Sequence, residues 1–153
     1  MQRIALILMA LLALCAAPAA VAATANVVQA LDFGQWFILN NNGDYTITVA
    51  ADGSYSHSGS LTQIRAPHPG IYNVTGLPAN TVINAVTATQ TQAMTAGAGE
   101  QMTMDNFDVT APGSTDGSGA MSVHLGAVAH TSGNGNGYAS GAYSGTIQLY
   151  FDF

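Results

Sequence analysis

The stretch YSGTIQLYFDF, residues 143–153, decides the fold class. Apolar and polar side chains alternate along it, and this two-residue period is the pattern of a half-buried β-strand. One face carries Ile147, Leu149, Phe151 and Phe153, and the other carries Thr146, Gln148, Tyr150 and Asp152. The stretch therefore predicts a closing strand that turns one face toward a core.

Shorter runs of the same character precede this strand. Thr, Val, Ile and Tyr dominate these runs, which favours strands, and no long window has the period of an amphipathic helix. Asp52-Gly53 between two runs predicts a hairpin. The predicted strands span residues 25–33, 45–49, 55–61, 71–75, 81–87, 101–110 and 119–128, with a mobile Gly/Asn/Ser-rich loop at residues 130–141. About seven to nine short strands between turn signals favour a β-sandwich.

Residues 1–23 have the pattern of a cleaved secretory signal peptide. A positive start at Arg3 leads into an apolar run over residues 4–16, and Ala20-Val21-Ala22 supplies the small residues for cleavage after Ala22 or Ala23. The apolar run is too short for a membrane span of about 20 residues. We therefore expect an exported protein whose residues 24–153 form one β-sandwich domain.

Cys15 is the only cysteine of the chain. Lipidation of a cysteine normally needs a small residue just before it, and Leu14 stands there instead. We expect Cys15 to leave with the signal peptide, so that the mature chain has no disulfide and depends on packing and strand pairing. A lipoprotein anchored through Cys15 is the alternative.

The mature chain is strongly acidic. Arg3 lies in the leader, so Arg65 alone opposes the eight Asp and Glu residues, and the net charge is −7 with neutral histidines. Affinity for phosphate requires Lys and Arg to displace counterions from it. This composition excludes nucleic acid and anionic lipid as partners.

No motif for catalysis or metal binding is recognisable. His57, His68, His124 and His130 lack the close spacing of a zinc site, and neither Asp105-Asn106-Phe107-Asp108 nor Asp116-Gly117-Ser118-Gly119 fits a calcium loop. Gly141-Ala142-Tyr143-Ser144-Gly145 matches a nucleophile elbow only in part, because no helix follows it. We expect no enzyme activity, no cofactor and no metal.

Aromatic side chains are the remaining candidates for a binding site. A sugar-binding face could use Trp36, Phe37, Tyr45, Tyr55, Tyr72 and Tyr138. Packing of the same side chains in the core and across strands is the commoner use of such residues. Both interpretations stay open at this point.

An ordered set of short motifs resembles a bacterial family of small exported proteins that contain a domain of unknown function. The set runs Leu31-Asp32-Phe33-Gly34, Tyr72-Asn73-Val74-Thr75-Gly76-Leu77-Pro78, Met102-Thr103-Met104-Asp105-Asn106-Phe107 and Gly141-Ala142-Tyr143-Ser144-Gly145-Thr146. The family resembles fimbrial major subunits and spore-coat U-type proteins. The resemblance implies an immunoglobulin-like sandwich with a fimbrial or surface role, and it supplies no catalytic residues.

The N-terminal segment, residues 24–33, is the candidate interaction site. In fimbriae assembled by β-strand exchange, such a segment completes the sandwich of a neighbouring copy through main-chain hydrogen bonds and alternate side chains. Ala25, Val27 and Leu31 are the candidate donor side chains. The alternative is that the segment is the first strand of a complete sandwich.

We therefore predict a structural subunit of a bacterial surface fimbria, pilus or coat. Its partners would be other copies of itself, with a periplasmic chaperone and an outer-membrane usher during export to the cell surface. A secreted monomeric binding module or adhesin is the alternative, with the loop at residues 130–141 as its contact surface. A small outer-membrane β-barrel is the third possibility, since the chain of such a barrel also ends in an alternating strand with a terminal Phe.

Overall fold

A computed structural model describes residues 23–97 and 99–153. The predicted signal peptide and Cys15 lie outside these residues. Within them the chain forms strands and no helix, which confirms the predicted all-β class. The strands are β1 (Thr24–Gln29), β2 (Gln35–Ile38), β3 (Thr46–Val49), β4 (Tyr55–His57), β5 (Leu61–Arg65), β6 (Gly70–Thr75), β7 (Ala85–Thr95), β8 (Thr103–Thr110), β9 (Met121–His130) and β10 (Ser144–Asp152).

Strand β9 is the centre of the main, six-stranded sheet. It pairs with β8 on one side, and with both β6 and β3 on the other, where β6 covers its first half and β3 its second half. Strand β1 pairs with the outer edge of β6, and β4 pairs with the outer edge of β3. All these pairs are antiparallel, so short turns and loops can connect them.

Two ribbons form the second layer, one from β7 and β10 and the other from β2 and β5. Ile147 of β10 packs against a core cluster around Ile47 and Ala129, while Leu149 and Phe151 pack against a second cluster around Val74 and Val123. The two layers enclose one apolar interior, as in a β-sandwich. The sandwich prediction is confirmed, with ten strands among the described residues in place of the expected seven to nine.

The predicted hairpin at Asp52-Gly53 is present. The amide of Ala50 donates to Ser54, the amide of Gly53 donates back to Ala50, and Gly53 has a φ of +90°. This is a three-residue hairpin loop with a left-handed residue at its end, a position that glycine fills without steric cost. The turn joins β3 to β4 and fixes their register.

Some strand boundaries differ from the sequence-based expectation. The predicted strand over residues 55–61 is two strands, because Gly59 turns the chain at a φ of +77° and sends β5 to the second layer. The predicted strand over residues 81–87 begins only at Ala85 and continues to Thr95. Strand β2 was not expected, because its four residues are too few to show a period.

Candidate functional site

An open groove of about 1220 Å³ lies beside strand β10. Strand β10 pairs with β7 along one edge, and no described strand pairs with its other edge. The ribbon that contains β10 is not hydrogen-bonded to the ribbon of β2 and β5, so the second layer has a gap. Residues of β1, β2, β6 and β10 line the groove, together with the loop at residues 138–143.

The walls of the groove are mainly apolar. Strand β10 contributes Ile147, Leu149 and Phe151, which stand two residues apart on its inward face. Val27, Phe37 and Ile64 also line the groove and are 63%, 57% and 60% exposed. Large apolar side chains that cluster in an exposed concave site mark an interaction surface. An unpaired strand edge in the same place offers main-chain donors and acceptors to an incoming strand.

The three candidate donor side chains line this groove. Ala25, Val27 and Leu31 are all part of its wall. In the structure of the single chain, β1 pairs with β6, with Ala25 opposite Val74 and Val27 opposite Tyr72. The structure therefore brings the three residues to one face of the molecule.

Strand β1 is held mainly by its main chain. Residues 24–28 are exposed along their whole length. The register with β6 shifts between Val27 and Gln29, and the Gln29 side chain donates to the Pro69 carbonyl oxygen at 2.7 Å. An edge strand that buries so few side chains loses little packing when it moves to an equivalent edge.

The loop that follows β9 lines the groove with residues 138–143, and side-chain hydrogen bonds hold its first part in place. Asn41 is buried, and its Nδ2 donates to Ser132, Asn134 and the carbonyl oxygen of Asn136. The Glu100 carboxylate accepts hydrogen bonds from Asn134, Ser132 and Asn136, and these bonds lower the pKa of Glu100. The segment predicted as a mobile loop is irregular, as expected, and is tied to two distant parts of the chain.

His130 lies at the start of this loop between two carboxylates. Its Nδ1 is 3.0 Å from Asp44 Oδ1, and its Nε2 is 2.9 Å from Asp105 Oδ1. Ionised carboxylates only accept hydrogen bonds, so both contacts require a proton on each ring nitrogen. Burial is the largest single influence and lowers the pKa of His130, but the hydrogen bonds and charges of Asp44 and Asp105 together outweigh it and raise the pKa. The bridge joins β8 and β9 to the β2–β3 connection.

The acidic residues of β8 that were considered as calcium ligands make contacts within the fold. Asp105 and Asp108 lie in β8, within the predicted strand over residues 101–110, on either side of a bulge at Asn106, and Asp108 accepts a hydrogen bond from the Ala51 amide. Across residues 23–97 and 99–153, no three His, Cys, Asp or Glu side chains are placed to hold one metal ion. The same residues contain no helix that is long and apolar enough to cross a membrane.

The aromatic side chains divide between the core and the groove. Trp36, Tyr45 and Tyr138 pack against the first core cluster, and Trp36, Tyr72 and Tyr138 also line the groove. Phe37 and Tyr55 are exposed, but only Phe37 of these two reaches the groove. Packing in the core thus accounts for three of the six aromatic residues that the sequence offered as a sugar-binding face, and four of the six line the groove.

Sequence reasoning named the three candidate donor residues, which line the groove, but missed its opposite wall. Strand β10 was recognised from its alternation, yet nothing in that pattern says which of its edges has a partner.

Comparison with known proteins places the chain in a family. Neither a curated protein nor a solved structure matches it. The model of the family described as "Domain of unknown function (DUF4402)" matches residues 22–153, and the chain belongs to this family.

Proposed function

We propose that this protein is a structural subunit of a bacterial surface fimbria, pilus or coat, and that its copies join by β-strand exchange. The observation that carries the proposal is the open apolar groove beside the unpaired edge of β10. The resemblance of the sequence motifs to fimbrial subunits supports the same conclusion. The protein has no catalytic role in this proposal.

The occupant of the groove is the N-terminal segment of a second copy. Residues 23–31 leave β6 of their own copy and enter the neighbour's groove, between the vacated edge of β6 and the unpaired edge of β10. Main-chain hydrogen bonds then give strength, and alternate side chains enter the apolar space. Ala25 and Val27 stand two residues apart, which is also the spacing of Ile147, Leu149 and Phe151 across the groove.

The distribution of charge favours this mode of contact. Copies with a net charge of −7 repel one another over most of their surface. Residues 23–31 carry no charged side chain, and the groove lining contains only Asp32 and Arg65, which neutralise each other in a 2.8 Å ion pair. The donor segment is therefore uncharged and the groove has no net charge, so acidic copies can associate through these two surfaces.

The geometry of exchange leads to a filament. The donor segment and the groove are different surfaces of the molecule, so each contact is heterologous and leaves one free donor and one free groove at the ends. Such contacts build an open chain of copies unless a rotation closes them into a ring. In this proposal the protein is exported to the periplasm, where a chaperone protects the groove, and an usher then passes it to the cell surface.

Deletion of residues 23–30 tests the donor role of the segment. The full mature chain, expressed with its signal peptide and neighbouring genes, should form thin fibres in electron micrographs and ladders in SDS gels without boiling. The deleted chain should fold as a monomer and form neither. If the deleted chain does not fold at all, the segment belongs to its own domain and donation is wrong. A full-length chain that stays monomeric favours the secreted binding module.

Cysteine pairing between two different copies locates the contact. The mature chain is expected to lack cysteine, so a Val27→Cys copy mixed with a Leu149→Cys copy can form a disulfide-linked dimer only through an intermolecular contact. The matched control replaces Leu149→Cys with Tyr150→Cys, because Tyr150 lies on the outer face of the same strand and is 49% exposed. Dimers with both partners, or with neither, would contradict insertion of β1 beside β10.

A further inference from the structure

The Leu31-Asp32-Phe33-Gly34 motif forms a compact cluster just after the C-terminal end of β1. Asp32 Oδ2 lies 2.8 Å from the Arg65 guanidinium and 3.5 Å from Nε2 of His68, while Oδ1 accepts a hydrogen bond from the Gly34 amide at 2.7 Å. Partial burial acts to raise the pKa of Asp32, but the Gly34 hydrogen bond and the Arg65 contact outweigh it and lower the pKa. The carboxylate is therefore ionised and has a partner for each oxygen.

The main chain is fixed at the same point. The amide of Asp32 donates to the His68 carbonyl oxygen at 3.0 Å, and the amide of His68 donates to the Asp32 carbonyl oxygen at 2.8 Å. Gly34 has a φ of +82°, and a Cβ there would collide with the Arg65 carbonyl oxygen. The indole of Trp36 donates to the Phe33 carbonyl oxygen. Residues 32–36 are thus tied to the β5–β6 connection through backbone, charge and close packing.

The preceding residues are held differently. Residues 24–28 have exposed side chains, and the register with β6 is irregular just before Gln29. The amide of Leu31 reaches the Tyr72 hydroxyl at 3.3 Å, which is long for such a bond. The boundary between a weakly packed strand and a tightly fixed turn therefore lies at Leu31 and Asp32.

We propose that the cluster of Asp32, Gly34, Arg65 and His68 is the pivot of strand exchange. It stays fixed while residues 23–31, here called the arm, leave their own domain. This inference rests on the proposed function and adds where the exchanged segment ends. Because the cluster is fixed, the arm of every copy leaves its domain at the same place and with the same length. The donor side chains then reach the neighbouring groove in one register. Arg65 suits this position because no other Lys or Arg occurs in residues 23–153 to compete for Asp32.

Hydrogen exchange on the monomer tests the pivot without any assembly. The amides of Asp32 and His68 should exchange at least about tenfold more slowly than those of residues 24–28, because opening of the arm does not break the pivot. Asp32→Asn should remove most of this difference. The control is Asp52→Asn, since Asp52 accepts a similar hydrogen bond from the Ser54 amide but has no cationic partner among the described residues. Equal exchange on both sides of Leu31 in the wild-type chain would overturn the pivot.

Assembly of the Arg65 variants tests its role in exchange. Arg65→Gln should raise the concentration needed for assembly about fivefold or more, while Arg65→Lys, which keeps the charge, should recover part of the loss. Unchanged assembly by Arg65→Gln would show that the pivot does not guide the arm. If the wild-type chain does not assemble, the proposed function fails, and the exchange rates of the monomer still decide whether the pivot exists.

Discussion

Val27 and Val28 form a matched pair that can measure the strand-exchange proposal. Both valines lie in β1, and they are 63% and 61% exposed in the single chain. Val27 lines the groove, whereas Val28 does not. We predict that Val27→Thr weakens assembly strongly and that Val28→Thr does not. Threonine keeps the volume and the β-branching of valine, so neither change alters strand propensity appreciably.

The size of the effect follows from the exposure of the two side chains. In the single chain a hydroxyl at either position stays largely in water, so each variant should lower the free energy of unfolding by less than about 0.5 kcal/mol. In the exchanged state Val27 enters the apolar groove, and a buried hydroxyl without a partner costs about 1–3 kcal/mol. That cost corresponds to about a 5- to 150-fold weaker contact at each junction.

Sedimentation of assembled protein over a range of concentrations gives the critical concentration of each variant. Urea unfolding of the monomers provides the control for folding. The expected result is a rise in critical concentration for Val27→Thr alone, with similar unfolding midpoints for both variants. Equal assembly of the two variants would refute the assignment of the odd-numbered face of β1 to the groove.

Three further predictions concern the stability of the fold. Gly34→Ala should lower the free energy of unfolding by about 1–3 kcal/mol, because alanine is strained at a φ of +82°. Gly113 has open space around it, so Gly113→Ala should change the free energy of unfolding little in the same urea titration. Leu125→Ala should cost about 2–5 kcal/mol because Leu125 is 1% exposed, whereas Leu39→Ala, at 73% exposure, should cost less than about 0.5 kcal/mol. The pKa of His130 is raised above its usual 6.5, so the bridge to Asp44 and Asp105 stabilises the fold fully below pH 6.5 and is lost as the pH rises through the raised value. Urea titrations across this range should show a fall in stability that His130→Gln flattens, and an unchanged fall in this variant would contradict the assignment.

The local sequence pattern identified those strands in which core-facing and outward-facing side chains alternate regularly. The alternation at residues 143–153 predicted β10 and the inward direction of Ile147, Leu149 and Phe151 correctly, because these side chains pack on the core, whereas Phe153 follows the strand and is 54% exposed. The hairpin at Asp52-Gly53 was equally readable, since its turn depends on the conformation of one glycine. The sequence could not reveal that residues 55–61 bend between two layers, because Gly59 turns there against the ring of Tyr45, which is distant in sequence.

The features of the candidate site also divide into those that the sequence could identify and those that only the structure brought together. The sequence by itself determined the candidate donor face of the N-terminal segment, the absence of charge along it, the acidic character of residues 24–153 and the Leu31-Asp32-Phe33-Gly34 motif, because these are properties of neighbouring residues. Only the tertiary structure decided that β10 has one unpaired edge, that β1 and β10 border the same groove, and that Asp32 meets Arg65 and His68. Strand pairing joins residues that are far apart in the chain, and each partner is chosen by the packing of the whole sandwich. No local pattern can therefore specify which edge is left open.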